Sequence, residues 1–296
     1  MNWTVYILAS AVFLAFYDLA KKASVRDNAV LPVLFWATVF GCAGFIAVAA
    51  LTGRLMTGIA AIDSTLICLA AIKSVIVATS WIFTFCALRT LPISIATPIR
   101  ASAPALVFLA AFFLYAERPS VVQGLGMLTV FGGYFVFSWA GKHEGIDFLR
   151  NRAVWCAFAG MVCSAASALW DKYIFNVRGA NIEAVQLLFQ IGLVVFYGIS
   201  ELSVRLIFRL KGTVPVKFNW RATIPCVGVL LAAADWLYFT GISKPDVAIS
   251  VASLMRRFSV VITFVIGAKL FKETNLVRKA IALLAILVGV VLLVLN

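Results

Sequence analysis

Ten apolar stretches of about twenty residues, separated by short polar breaks, set the problem this chain has to solve. They run over 3–20, 30–51, 65–87, 93–115, 121–140, 154–173, 183–204, 222–242, 247–268 and 279–295. About 20 apolar residues in a helix cross the hydrocarbon core of a bilayer. Inside lipid every backbone N–H and C=O must be paired within the protein, and no strand-like alternation is visible, so the stretches are read as helices. Composition agrees: 64% of the 296 residues are hydrophobic and 12% charged, against about 45–50% and 25% in soluble domains. Breaks such as Thr52-Gly53-Arg54, Arg89-Thr90-Leu91-Pro92 and Ser243-Lys244-Pro245-Asp246 leave no room for a soluble domain. The expected fold is an all-α membrane protein of about ten transmembrane helices.

The formal charge of +13 would suggest a nucleic-acid partner in a soluble protein. Here the Lys and Arg residues flank spans, where they set orientation, and no nucleic acid is expected. With Lys172 and Lys279, at span ends, counted in the adjoining loops, loops after spans 1, 3, 5, 7 and 9 hold 16 of the 25, the other side holds 5, and 4 lie inside spans. That bias predicts odd-numbered loops in the cytoplasm and both termini outside, in a bacterial inner (plasma) membrane. Residues 1–4 carry no basic leader, so the first stretch is read as a retained span. Six cysteines lie in apolar runs without CxxC spacing, and His143 is the only histidine. They are read as small buried hydrophobes, with no metal or other cofactor expected.

The two halves repeat. Arg100 and Arg256, Glu117 and Glu273, and Gly133 and Gly289 share an offset of 156, while Asp18 and Asp171, and Pro92 and Pro245, are 153 apart. A first five-helix repeat is placed at 1–140, a cytoplasmic connecting loop at 141–153 and a second repeat at 154–296, all one membrane unit. Five spans per copy is an odd number, so the second copy inserts upside down, as in many secondary transporters. Ala87-Leu88 leading through Pro92, Pro98 and Pro104 to Glu117 and a Gly-rich helix resembles the end of the first repeat of ten-helix EamA-type members of the drug/metabolite transporter superfamily. Phe239-Thr240-Gly241 through Glu273 to Gly289 resembles the second. The resemblance spans essentially the whole chain. It implies a central cavity between helices 1 to 4 of each repeat, with helices 5 and 10 bracing the outside. This chain departs from the family in ending Leu292-Leu293-Val294-Leu295-Asn296, without basic residues.

Charges at bilayer depth are the most informative positions, since each costs about 2.5–3.5 kcal/mol on insertion scales. Lys73, Arg100, Asp235, Arg256 and Arg257 fall near mid-span and sum to +3. An excess of buried cations points to a water-filled cavity or an anionic ligand. Arg100 and Arg256, mates in the repeat, are therefore expected to line the cavity and bind substrate, with Lys73 as a further candidate or a residue reaching an interface. Arg257 lies about 100° around the helix from Arg256; it or Lys73 is the expected partner of Asp235, in a structural or coupling ion pair. Trp81, Trp170, Trp236 and Tyr238 offer rings for a flat ligand, or for packing and interface anchoring. Asp18 and Asp171 fit helix-end gating or capping with Lys21 and Lys172. Pro98 and Pro104 would free the carbonyls of Ser94 and Arg100, a broken helix at a binding site or a simple kink. Glu117 and Glu273 are read as structural, at helix starts.

No phosphate-binding Gly loop, HExxH or nucleophile elbow occurs, so neither an enzyme nor an ATP-driven pump is expected. The reading is a secondary transporter of a small organic anion or zwitterionic metabolite, working by alternating access as a monomer or homodimer in the lipid bilayer. The alternative is a flippase, or its accessory subunit, for a phosphate-bearing lipid-linked intermediate.

Overall fold

The structure is a computed structural model, and it describes residues 3–103, 105–106, 120–142, 147, 149–211, 216–242 and 255–294. No strand occurs among them. Eleven α-helices do: α1 (Trp3–Val25), α2 (Val30–Leu51), α3 (Arg54–Ala60), α4 (Ser64–Thr90), α5 (Ile93–Ala101), α6 (Val121–Lys142), α7 (Arg152–Lys172), α8 (Ile182–Leu210), α9 (Thr223–Ile242), α10 (Phe258–Leu270) and α11 (Leu276–Val294). All but α3 coincide with the ten expected stretches, of which the fourth and ninth lie partly outside the described residues. By length and composition, α1, α2, α4, α7 with the π turn that continues it, and α8 can each cross a membrane.

Loop chemistry starts several of these helices. Asp63 accepts a hydrogen bond from the N–H of Leu66, Asn151 from that of Ala153 and Asn181 from that of Ala184, capping α4, α7 and α8. Gly53, at φ 71°, lets α2 stop and α3 start at once. The break after the second stretch, expected as a connection, holds this short helix, which packs on α8 and α2.

The packing follows a swap of the two halves, in which α1 corresponds to α7, α2 to α8, α4 to α9, α5 to α10 and α6 to α11. The contact of α1 with α9 then maps onto that of α7 with α4, and α2 with α9 onto α8 with α4. The contact of α1 with α10 maps onto α7 with α5, while α2–α8, α5–α10 and α6–α11 map onto themselves. Short side chains permit the closest of these approaches. A Cβ on Gly228 of α9 would lie 2.2 Å from the Ala37 carbonyl oxygen of α2. In the α6–α11 pair, a Cβ on Gly133 would lie 2.6 Å from Ile286, and one on Gly289 2.6 Å from the carbonyl oxygen of Gly126. The repeat-related glycines therefore do the same job on opposite helices. On outward faces, Leu128, Phe131, Phe135, Ile199, Leu202, Leu284 and Val288 are exposed, as lipid contact requires.

The end of α1 is a correction: the first stretch is drawn to residue 20, yet Lys21 and Lys22 beyond it belong to the helix and are buried. Lys21 reaches Asp18 at 2.7 Å. Lys22 donates to the carbonyls of Leu88 and Leu91, each at 2.6 Å, at the end of α4. An ammonium can stay in a helix interior because these acceptors replace its water.

Candidate binding centre

The repeat places an arginine just before a break in each half. α5 ends at Ala101, one residue past Arg100, and the chain turns at Ser102. Ser102 Oγ donates to the Ile99 carbonyl at 2.8 Å and meets the hydroxyl of Tyr134 from α6. Pro98 sits inside α5, whereas Pro104 lies outside the described residues. In the second half the turn falls at Arg257, between Arg256 and the start of α10. No proline matches Pro98 there; in both halves the helical ladder is interrupted beside the arginine by one turn residue, Ser102 or Arg257, that keeps near-helical dihedral angles.

Each arginine finds an acid, by a different route. Arg100 reaches Asp18 of α1 at 2.5 Å. Asp18 is fully buried and shares its other oxygen with Lys21, whose ammonium lies 4.3 Å from the ring centre of Tyr17. Arg256 reaches Asp235 of α9 at 2.5 Å and stacks over Tyr238, 4.3 Å from its ring centre, a geometry favoured for a guanidinium. Arg257 and Lys73 are the expected partners of Asp235; the ion pair that the structure describes for it is with Arg256. Lys73 is taken by Asp171 of α7. Arg257 lies within electrostatic reach of Arg100, Tyr238 and Arg256.

Lys73 of α4 binds Asp171 of α7 at 2.7 Å. It is buried, with its ammonium 4.9 Å from the ring centre of Phe189. Asp171 thus departs from its mate Asp18, which bonds within its own half; the side chain of Lys172, its expected partner, is outside the described residues. Trp81 is half-buried against the hydrophobic core, and Trp170 donates to the Leu69 carbonyl at 3.1 Å. Trp236, 39% exposed, lines a small cavity of about 50 Å3 with Asp235, Arg54 and Glu183. The structure therefore gathers Arg256, Asp235, Tyr238 and Arg257, with Arg100, Asp18, Lys21 and Tyr17 close by. Lys73 and Trp81 belong to other packing neighbourhoods.

The guanidinium groups are not fully consumed. Arginine carries five N–H donors, and the side chains of Arg100 and Arg256 remain 27% and 22% exposed. Arg256 Nε is buried with no hydrogen-bond partner among the described residues. Without counting Arg257, Lys21, Arg100 and Arg256 face only Asp18 and Asp235 among the described acids. Such an arrangement can hold an oxyanion through charge-assisted, forked hydrogen bonds.

Glu273 was read as serving its own helix start. It instead crosses to the other half, accepting hydrogen bonds from the N–H of Ile93 at 2.7 Å and from the hydroxyl of Ser94 at the start of α5. Its mate Glu117 lies outside the described residues.

Residues 1–139 match the model of the EamA-like transporter family. That match agrees with the drug/metabolite transporter superfamily. None of the curated proteins compared with the chain matches it. Among solved structures, one crystal structure of a protein superposes over 100% of this chain and 98% of its own, with a TM-score of 0.62 at 18% identity. That likeness concerns the fold alone.

Proposed function

We propose that this chain, a membrane transporter of the drug/metabolite kind by its family match, moves a small organic anion or zwitterion by alternating access. One observation carries the cargo assignment. Two arginines at repeat-related positions, each beside a helix break, spend part of their donor set on one acid and keep part of the side chain open. A carboxylate or phosphate group would complete the guanidinium forks and offset the positive balance. The breaks beside them provide places where each half can bend, so the same arginines can face either side in turn. The charge bias of the loops supports cytoplasmic odd-numbered loops in a bacterial inner membrane, and the repeat supports units at 1–140 and 154–296.

Purified protein in liposomes tests the reading. Exchange of a labelled organic anion against the same anion inside should be saturable, and a cation of equal size should not compete. Flipping of a labelled phospholipid-linked sugar without exchange of any soluble anion would overturn it in favour of a flippase.

A further inference from the structure

Where α1 and α4 end and α5 begins, the segment joining α10 to α11 borders a cavity of about 510 Å3. Its lining includes none of the arginine-centre residues, and it opens at the end of the bundle that carries the odd-numbered loops. Its described lining holds the cations Lys22, Arg26, Arg89, Lys272 and Lys279. Only two acids, Asp27 and Glu273, line it. Two of the ammonium groups are buried, Lys22 at 7% exposure and Lys279 at 0%. Lys22, at the same cavity wall, is held by the carbonyls of Leu88 and Leu91, while Lys279 lies 3.5 Å from the carboxylate of Glu273.

That same carboxylate takes the first N–H of the nine-residue α5 and the hydroxyl of Ser94. Open backbone N–H groups, a hydroxyl and converging ammonium groups are what an oxyanion needs. Here the position is filled by an anion of the protein itself, delivered from the other half. The surplus of cations around it is more than one carboxylate neutralises.

We propose that this cavity is a second anion site, taking a phosphate group, and that Glu273 is a tethered competitor for it. A phosphate entering beside Lys272 and Arg26 would compete with Glu273 for Lys279 and the α5 donors. Its use as a waiting position for cargo rests on the anion-transport reading; the binding itself does not.

The test uses full-length protein in phosphatidylcholine nanodiscs, titrated with sodium phosphate against sodium chloride at equal ionic strength, with thermal unfolding as readout. Phosphate should raise the unfolding temperature saturably beyond chloride. The double variant Arg26→Gln/Lys272→Gln removes two exposed cations without touching the α5 cap. It should raise the half-saturating phosphate concentration roughly tenfold, as loss of two charge-assisted contacts implies. Glu273→Gln should lower it. Arg256→Lys should keep the phosphate response that the double variant loses, even where transport is gone, so the two readings fail separately. Nanodiscs containing phosphatidylglycerol identify the source: weakened phosphate response there means lipid headgroups reach the same site. Stabilisation no greater than with chloride, an unchanged half-saturation in the double variant, or loss of the response in Arg256→Lys would overturn the proposal. Should Glu273→Gln fail to fold, the double variant decides alone.

Discussion

Arg256 and Asp235 meet at 2.5 Å, each side chain 22% exposed, and the contact ties α9 to the turn that opens α10. The equivalent arginine, Arg100, is tied instead to α1 through Asp18, which is fully buried. Repeat-related cations thus depend on acids that are not repeat-related. Of the two acids only Asp18 is buried; the arginines are comparably exposed, Arg100 at 27% and Arg256 at 22%.

Arg100→Lys and Arg256→Lys should each cut transport at least about tenfold, because an ammonium cannot offer two parallel donors to a planar acid. Unfolding temperatures should stay within about 4 °C of the parent, the shift expected from less than 1 kcal/mol in a chain of this size. Liposome exchange and thermal unfolding measure the two effects. Normal exchange in both variants would remove the guanidinium fork from the mechanism.

Asp235→Asn should lower stability by about 1–3 kcal/mol, since a half-buried guanidinium loses its carboxylate. A static bridge further predicts that the pH dependence of uptake matches the parent. Uptake driven by a pH gradient, compared with simple exchange in the same liposomes, is the deciding pair of measurements. Loss of the gradient-driven part alone would make Asp235 a coupling residue.

Gly228→Ala should strongly reduce the yield of folded protein. Its new Cβ would lie 2.2 Å from the Ala37 carbonyl oxygen and 2.4 Å from the Gly41 nitrogen, both backbone atoms that cannot turn aside. Gly132→Ala, where nothing stands within 4 Å, should behave like the parent. Size-exclusion profiles and unfolding temperatures of the pair provide the comparison.

Leu149→Cys, in a background lacking the native cysteines, reports on orientation, because Leu149 is exposed in the segment between the halves. In intact cells it should resist a membrane-impermeant thiol reagent and react after permeabilisation. Ready labelling before permeabilisation would place both termini in the cytoplasm.

Helices and the repeat were legible because burial in lipid leaves a direct mark on composition, and because Arg100, Glu117 and Gly133 recur at one spacing. Partners were harder. Asp235 was matched by depth and helical phase, which could not decide between the neighbours Arg256 and Arg257 without the placement of α9. Lys21 and Lys22 looked like loop residues because charge usually marks a span's end; nothing local announces that Leu88 and Leu91 supply acceptors 66 and 69 residues away. Lys73 and Asp171 could have been matched, as an ammonium and a carboxylate at depth on helices that the half-swap brings together. The reach of Glu273 to Ser94, 179 residues away, depends on tertiary arrangement that spacing does not encode.

The way the halves share their interfaces bears on how the protein is made. α1 rests on α9, α4 on α7 and α6 on α11, so the first half emerges from the ribosome without its main neighbours. Lys73 precedes Asp171 by 98 residues, several seconds of synthesis at about 5–20 residues per second. Throughout that interval the nascent half must be held at the insertion machinery, or remain loosely associated in the bilayer, with an ammonium group awaiting its counter-charge. Final assembly is then closer to the joining of two subunits than to stepwise growth. The two halves, made as separate polypeptides in one cell, should accordingly find each other and be degraded when either is made alone.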